Sequence, residues 1–132
     1  MATATMKFNI TTLQPTGFGS VDQESVTYSG TITFSAAADT YATGGLLPLA
    51  GFALKNLGPY ADRVPLAWYV ASQSGSGWEY EWNVATGKLM IIAGGGSNVA
   101  APVELANTTA LNVAVPNIFT DVVNFQFIFP RR

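Results

Sequence analysis

The chain has 132 residues, and its charge comes from only six basic and eight acidic side chains, which give a net charge of −2. It contains no histidine and no cysteine. These absences exclude disulfide frameworks, cysteine nucleophiles and cysteine-ligated zinc sites. The basic residues are scattered along the chain, and since binding to a phosphate backbone requires clustered cations, we expect no nucleic-acid partner.

The N-terminal region lacks the basic segment and long apolar run of a signal peptide, and no stretch approaches the roughly 18 apolar residues of a membrane span. We therefore expect a protein that is not exported by a standard signal and has no membrane partner.

The shortage of charge also predicts association. Charged residues make up 11% of the chain, compared with about 25% in an average soluble domain. A surface built from small polar and apolar side chains favours contact with other protein surfaces. We therefore expect a homo-oligomer or a subunit of a larger assembly. The candidate interface residues are Tyr41, Leu46, Leu47 and Leu49.

Strand patterns recur along the chain as alternating apolar and polar residues. The predicted strands are Met6 to Thr12, Ser25 to Phe34, Val64 to Ala71, Trp78 to Trp82, Lys88 to Ala93 and Val122 to Phe129. Gly30 interrupts the second strand and predicts a bulge or a bend. Apolar residues recur near helical spacing from Leu46 to Leu57, where Pro48 fits a first turn, and predict one short helix.

Many short strands separated by turn signals predict an all-β chain. The expected fold is a single-domain antiparallel β-sandwich or jelly-roll-like barrel with at most one short helix. The domain spans residues 1–132, and residues 1–24 supply a possible N-terminal arm and the first strand.

The sharpest local pattern runs from Trp78 to Leu89 and predicts a β-hairpin. Strict alternation places Trp78, Tyr80 and Trp82 on one strand face. The turn that follows ends at Gly87, where a glycine can take the left-handed conformation that closes a hairpin. The three aromatic rings form either part of a buried core or a platform on which sugar rings stack, and the core is the favoured interpretation.

Candidate catalytic groups are few. Glu79 and Glu81 resemble the carboxylate pair of a glycosidase, but neighbours two apart on an exposed strand point together into water, which favours a solvated face. The glycine-rich stretch from Gly94 to Asn98 lacks the lysine of a phosphate-binding loop. Asp22 and Glu24 supply too few oxygen ligands for calcium. We expect no enzymatic activity, no metal and no cofactor.

Three stretches together resemble a known family. They are YSGTITF at 28–34 followed by YATGGL at 41–46, WEYEW at 78–82 with TGKL at 86–89, and ELANTTAL at 104–111. Their order and spacing resemble the small virion proteins of tailed bacteriophages that decorate or cement the capsid. The resemblance covers most of residues 25–129.

This resemblance implies a β-rich subunit, usually a homotrimer, that binds the major capsid protein on the outside of the head and stabilises the shell. The protein would be made in the host bacterial cytoplasm and would reside in the virion. The alternative is a carbohydrate- or receptor-binding module of a phage fibre. The placement of the aromatic rings discriminates between the two, because buried rings favour a scaffold and solvent-lined rings favour sugar binding; these rings belong to Trp68, Trp78, Tyr80 and Trp82.

Overall fold

A computed structural model describes residues 2–16, 25–73, 76–93, 103–113 and 117–130. It confirms the all-β prediction, because the described residues form two β-sheets and a single 3-10 turn. The strands are β1 (Thr5–Thr16), β2 (Ser25–Phe34), β3 (Leu47–Pro48), β4 (Ala67–Ser72), β5 (Trp78–Asn83), β6 (Lys88–Ala93), β7 (Val103–Glu104) and β8 (Val123–Pro130). In the described ranges, no helix is long and apolar enough to cross a membrane.

The larger sheet has five strands in the order β3-β1-β2-β8-β4. Its pairs are antiparallel, except that β1 runs parallel to the short β3. The smaller sheet has the order β5-β6-β7 and is antiparallel throughout. Of the predicted N-terminal arm, residues 5–16 form β1, and residues 17–24 lie outside the described ranges.

A bulge lies opposite Gly30, but the extra residue is Thr11 of β1, so the bulge is not in the second strand, where the sequence predicts it. The register between β1 and β2 shifts between Ile10 and Thr12, immediately beside the Ile10–Gly30 pair. A side chain at Gly30 would overlap the carbonyl oxygen of Asn9. Glycine is therefore required there, because only a residue without a Cβ lets the bulged strand come this close.

Aromatic side chains from both sheets meet in the core, so the two sheets form a sandwich. The ring of Phe8 on β1 makes edge-to-face contacts with Trp82 of the smaller sheet and Phe125 of β8, at centroid distances of 5.7 and 5.2 Å. Trp82 also meets Phe127 at 5.3 Å. Edge-to-face pairs of this kind add about 1 kcal/mol each to the burial of apolar area.

The two sheets are joined differently along their two sides. On one side, Leu46 and Leu89 exchange backbone hydrogen bonds of 2.8 and 3.1 Å, which link the start of β3 to β6. On the other side, β4 and β5 pack against each other but belong to different sheets. We call this second boundary, between Ala67–Ser72 and Trp78–Asn83, the β4–β5 seam.

The predicted helix at Leu46 to Leu57 is wrong. Leu47 and Pro48 form β3 instead, and Gly51 has a φ of 86°, which no right-handed helix contains. Only Leu54–Asn56 makes a turn of 3-10 helix. Of the apolar residues with that spacing, Leu46 is buried and Leu57 is half-buried, whereas Leu49 and Phe52 are exposed, so no buried helical face exists. The strand predicted from Val64 begins three residues later, at Ala67, because the preceding segment does not pair as a strand.

Candidate functional site

The predicted aromatic hairpin exists with the expected register. Trp78 to Asn83 pairs with Lys88 to Ala93, and Gly87 has the predicted positive φ, at 68°. Tyr80 and Trp82 are buried in the core and Trp78 is half-buried, while Glu79 and Glu81 are exposed on the opposite face. The rings on this face therefore pack inward and do not form an open platform for sugars.

A buried carboxylate lies at the β4–β5 seam. Asp121, only 5% exposed, sits just before β8. Its Oδ2 accepts hydrogen bonds from the Tyr80 hydroxyl at 2.6 Å and the Ser76 hydroxyl at 2.8 Å, and its Oδ1 accepts one from the Ser72 hydroxyl at 2.8 Å. We call these four residues the Asp121 cluster. Ser72 ends β4 and Tyr80 lies on β5, so the cluster fastens the two sheets together where no strand ladder does.

The same hydroxyls also accept hydrogen bonds from two backbone N–H groups that precede or begin β5. The Ser76 N–H donates to the Ser72 Oγ at 3.2 Å, and the Trp78 N–H donates to the Ser76 Oγ at 3.3 Å. Hydroxyl side chains that accept from nearby backbone N–H groups stabilise turns in this way. The two serines therefore both shape the turn and hold the carboxylate.

A second carboxylate joins the smaller sheet to the segment before β3. The Glu104 Oε1 accepts from the Tyr41 hydroxyl and from the Gly44 N–H, each at 2.6 Å, and the Tyr41 oxygen accepts from the Ile91 N–H at 3.3 Å. We call Glu104, Tyr41 and Gly44 the Glu104 cluster. It closes the edge of β6 beyond the short β7.

In both clusters the pKa of the tyrosine is raised. Burial, and then the hydrogen bond to Asp121, raises the pKa of Tyr80 well above its ordinary value. Burial, and then the hydrogen bond to Glu104, raises the pKa of Tyr41 in the same way. A phenol with a raised pKa stays protonated and acts as a donor, not as a base. In each cluster a protonated phenol therefore donates to a carboxylate and links two parts of the fold.

The candidate interface residues separate into two pairs. Tyr41 and Leu46 are buried inside the protein's own core, so their side chains are not exposed to a partner, and their place near a subunit interface stays a prediction. Leu47 and Leu49 are exposed. Asp22, Glu24 and the stretch from Gly94 to Asn98 lie outside the described residues. Within the described ranges, no three His, Cys, Asp or Glu side chains come together as a metal site.

The sequence analysis missed an exposed apolar surface at the free edge of β4. Leu66, Trp68 and Tyr69 are 64%, 41% and 59% exposed, and we call these three residues the β4 surface. Trp68 pairs with the buried Phe127 and so faces the core side, whereas Tyr69 pairs with the exposed Gln126 and faces outward. The run VPLAWYVASQ at 64–73 contains no charged residue, and this feature of the sequence could have predicted the exposed apolar surface.

A cleft of about 320 Å³ opens next to this surface. Leu54, Pro65, Trp82 and Val84 supply apolar walls, and Lys55, Asp62 and Arg63 also line it. It lies where the end of β5 meets the segments on either side of Gly58.

No protein-family model, no curated protein and no solved structure matches the chain.

Proposed function

We propose that the protein is a capsid decoration protein, which binds the outside of a bacteriophage head as an oligomer and reinforces the shell without catalysing a reaction. The observation that carries this proposal is the β4 surface. Exposed apolar side chains mark protein-binding sites where they cluster, and these three leave apolar groups exposed on both sides of one strand, with Trp68 on one side and Tyr69 on the other. Here they lie at the exposed start of the edge strand β4, which has no charged residue and whose second half is half-buried at the β4–β5 seam.

The free edge is unusual for a protein that stays alone. Natural proteins protect edge strands with charges, prolines or very short strands, since an open edge invites pairing with another chain. The edge strands β3 and β7 have two residues each, and the edge strand β5 carries Glu79 and Glu81. Only β4, among the edges that the structure describes, is both long and uncharged. This supports a role in which β4 lies against a partner.

The outer face of the larger sheet also suits a protein contact. Thr31, Thr33 and Asn9 lie there together with Lys7, which pairs with Thr33, and the Asn9 amide donates to the Thr33 hydroxyl at 3.0 Å. Uncharged polar groups are cheaper to remove from water than ions, and the centres of protein interfaces are depleted of charge. A shell contact through this face therefore loses little hydration energy.

Purified heads of the phage that encodes the chain, prepared with and without the protein, test the proposal. We expect the protein to bind the stripped heads and to raise the temperature at which they rupture, because a ligand that binds only the intact lattice stabilises it by mass action. Heads that rupture at the same temperature with and without bound protein would overturn the proposal.

A matched pair of variants tests the β4 surface itself. Leu66→Glu places a charge in this surface, whereas Val113→Glu places the same charge at a valine that is exposed to a similar degree, 69% against 64%. We expect Leu66→Glu to weaken head binding at least about tenfold, because it buries an unpaired charge. Val113→Glu should bind as the unaltered protein does. Equal binding by the two variants would exclude the β4 surface as the contact.

The same material tests the alternative of a carbohydrate-binding module. The exposure of Trp68 and Tyr69 is the observation that favours it. These neighbours face opposite sides of the strand, so they do not form one stacking platform. A protein that binds a cell-surface glycan through Trp68, shown by loss of binding in Trp68→Ala, and that fails to bind heads would replace the capsid proposal with this one.

A further inference from the structure

The cleft has a cationic rim over apolar walls. Lys55 is exposed and makes no hydrogen bond or ion pair with a described residue. Arg63 stacks over the Tyr60 ring at 5.5 Å and donates one N–H to the Pro130 carbonyl at 3.3 Å. A guanidinium has five N–H donors, so Arg63 keeps others for a ligand. Asp62 is the carboxylate that lines the same cleft. The cleft therefore has a net positive charge.

The outer face of the smaller sheet has the opposite character. Glu79 and Glu81 are exposed there and lie directly across from Ile92 and Met90 of β6, which are half-buried. Neither carboxylate makes a hydrogen bond or ion pair with a described residue. Lys88, at the turn end of β6, is the cation on this face by register. We call Glu79, Glu81, Met90 and Ile92 the acidic ridge, which combines net negative charge with apolar side chains.

The ridge and the cleft are complementary in both charge and apolarity, and they occupy different parts of the surface. We propose that the acidic ridge of one copy of this chain docks into the cleft of the next copy, so that copies associate head to tail. The proposal rests on the proposed function, in which the protein acts as an oligomer, and it names the partner of the cleft as a second copy of this chain.

Electrostatics disfavours the alternative of a two-fold dimer through either surface. A two-fold axis that passes through one surface brings that surface of both copies together. Ridge against ridge would gather four carboxylates, and cleft against cleft would bring Lys55 and Arg63 close to their own copies. Like charges across an interface cost several kcal/mol. A head-to-tail contact instead pairs unlike charges and closes into a ring when the rotation between copies permits, as a trimer would.

Charge reversal tests the contact. Light scattering on the full chain should give an oligomer at micromolar concentration. Lys55→Glu alone, or Glu79→Lys with Glu81→Lys, should weaken association at least about tenfold by placing like charges together. The variant with all three substitutions should associate again, because both surfaces are then reversed. Lys7→Glu is the matched control, since it makes the same change of charge at a lysine that lies over Phe52 and outside the cleft. It should not affect association.

The outcomes separate this inference from the proposed function. A melting temperature measured for each variant identifies loss of folding, and the triple variant counts as restored when it regains both the oligomer's mass and the melting temperature of the unaltered protein, since an unfolded chain can also aggregate. A monomer at micromolar concentration, or an oligomer that none of the reversals weakens, would overturn the inference. If that monomer still binds and reinforces heads, the inference fails together with the oligomer of the proposed function, while reinforcement of the shell stands. If the charge-dependent oligomer forms but does not bind heads, only the proposed function fails.

Discussion

Asp121 and Glu104 each accept a hydrogen bond of 2.6 Å from a tyrosine hydroxyl, but the two carboxylates stabilise different parts of the fold. Asp121 is almost wholly buried and gathers three side-chain hydroxyls, which come from both sheets and from the turn between them. Glu104 lies half-buried on a two-residue edge strand and takes one hydroxyl and one backbone N–H. The first fastens the β4–β5 seam, and the second fastens a loop to the edge of β6.

The difference shows how a protein with few charges uses them. A buried carboxylate is tolerated only when hydrogen bonds replace its lost water, and each bond to a charged group contributes about 1.5–3 kcal/mol. At the seam, strands β4 and β5 share no ladder, so side-chain bonds to Asp121 take its place. At β6, backbone pairing to β5 and β7 already holds the strand, and Glu104 adds to it.

The largest expected effect comes from removing the two carboxylates in turn. Asp121→Ala leaves three hydroxyls without their acceptor and should lower the free energy of unfolding by about 3 kcal/mol or more. Glu104→Ala, in a half-exposed place with fewer partners, should lower it by about 1–2 kcal/mol. Chemical denaturation of both variants measures the difference. Equal losses would show that burial does not distinguish the two clusters.

The Asp121 cluster could not be predicted from the sequence, because its members come together only in the fold. Ser72, Ser76 and Tyr80 stand 49, 45 and 41 positions before Asp121. No local period connects such residues. The remaining signal was an aspartate between the apolar Ile118 and Val123, which is where a buried and bonded carboxylate would be expected.

The β5–β6 hairpin shows the opposite case. Its alternation and its turn glycine lie within one short stretch, so the sequence predicts both the pairing and the buried face of Tyr80 and Trp82. The segment from Leu46 to Leu57 misled the prediction because its backbone pairing depends on distant partners. Leu46 pairs with Leu89, and Leu47 pairs with Thr5. Local spacing cannot reveal such partners, and tertiary contacts override a weak helical period.

Alkaline pH should weaken both clusters. Burial first, and then the hydrogen bond to a carboxylate, raises the pKa of Tyr80 and of Tyr41 above the ordinary value of 10.0. Above this pH the unfolded chain loses tyrosine protons that the folded chain keeps, so folding stability falls as pH rises. The stability that depends on these protons is fully present below pH 10. The expected loss is about 1.4 kcal/mol per pH unit for each tyrosine.

Denaturation between about pH 9 and pH 12 measures this slope. Tyr80→Phe and Tyr41→Phe are the controls, because each removes one titrating hydroxyl and keeps the ring. In each variant the loss of folding stability per pH unit should be smaller by about 1.4 kcal/mol, the contribution of one tyrosine. If neither substitution reduces the slope, the two phenols do not retain their protons in the folded state.

A substitution at Gly87 compares the contribution of the β5–β6 turn to folding stability with the contributions of the two clusters. Gly87 joins β5, which Tyr80 ties to Asp121, to β6, whose Ile91 N–H is bonded to Tyr41. Its φ of 68° is strained for other residues, but a Cβ there would meet no atom within 4 Å. Gly87→Val should therefore cost the backbone strain alone, a little more than about 1 kcal/mol. If Gly87→Val has the melting temperature of the unaltered protein, the turn can change its conformation without a loss of stability.

The smallest effect is expected from the carboxylates that have no partner. Glu79→Gln and Glu81→Gln remove charges that face solvent and bond to no described residue. A carboxylate stabilises a fold through its hydrogen bonds and ion pairs. Since these two have none with a described residue, each substitution should change the free energy of unfolding by less than about 0.5 kcal/mol. Association should respond where stability does not, because these charges belong to the acidic ridge. Denaturation and light scattering on the same samples separate the two quantities. If either glutamine variant loses as much stability as Glu104→Ala, the ridge has a structural role within the subunit.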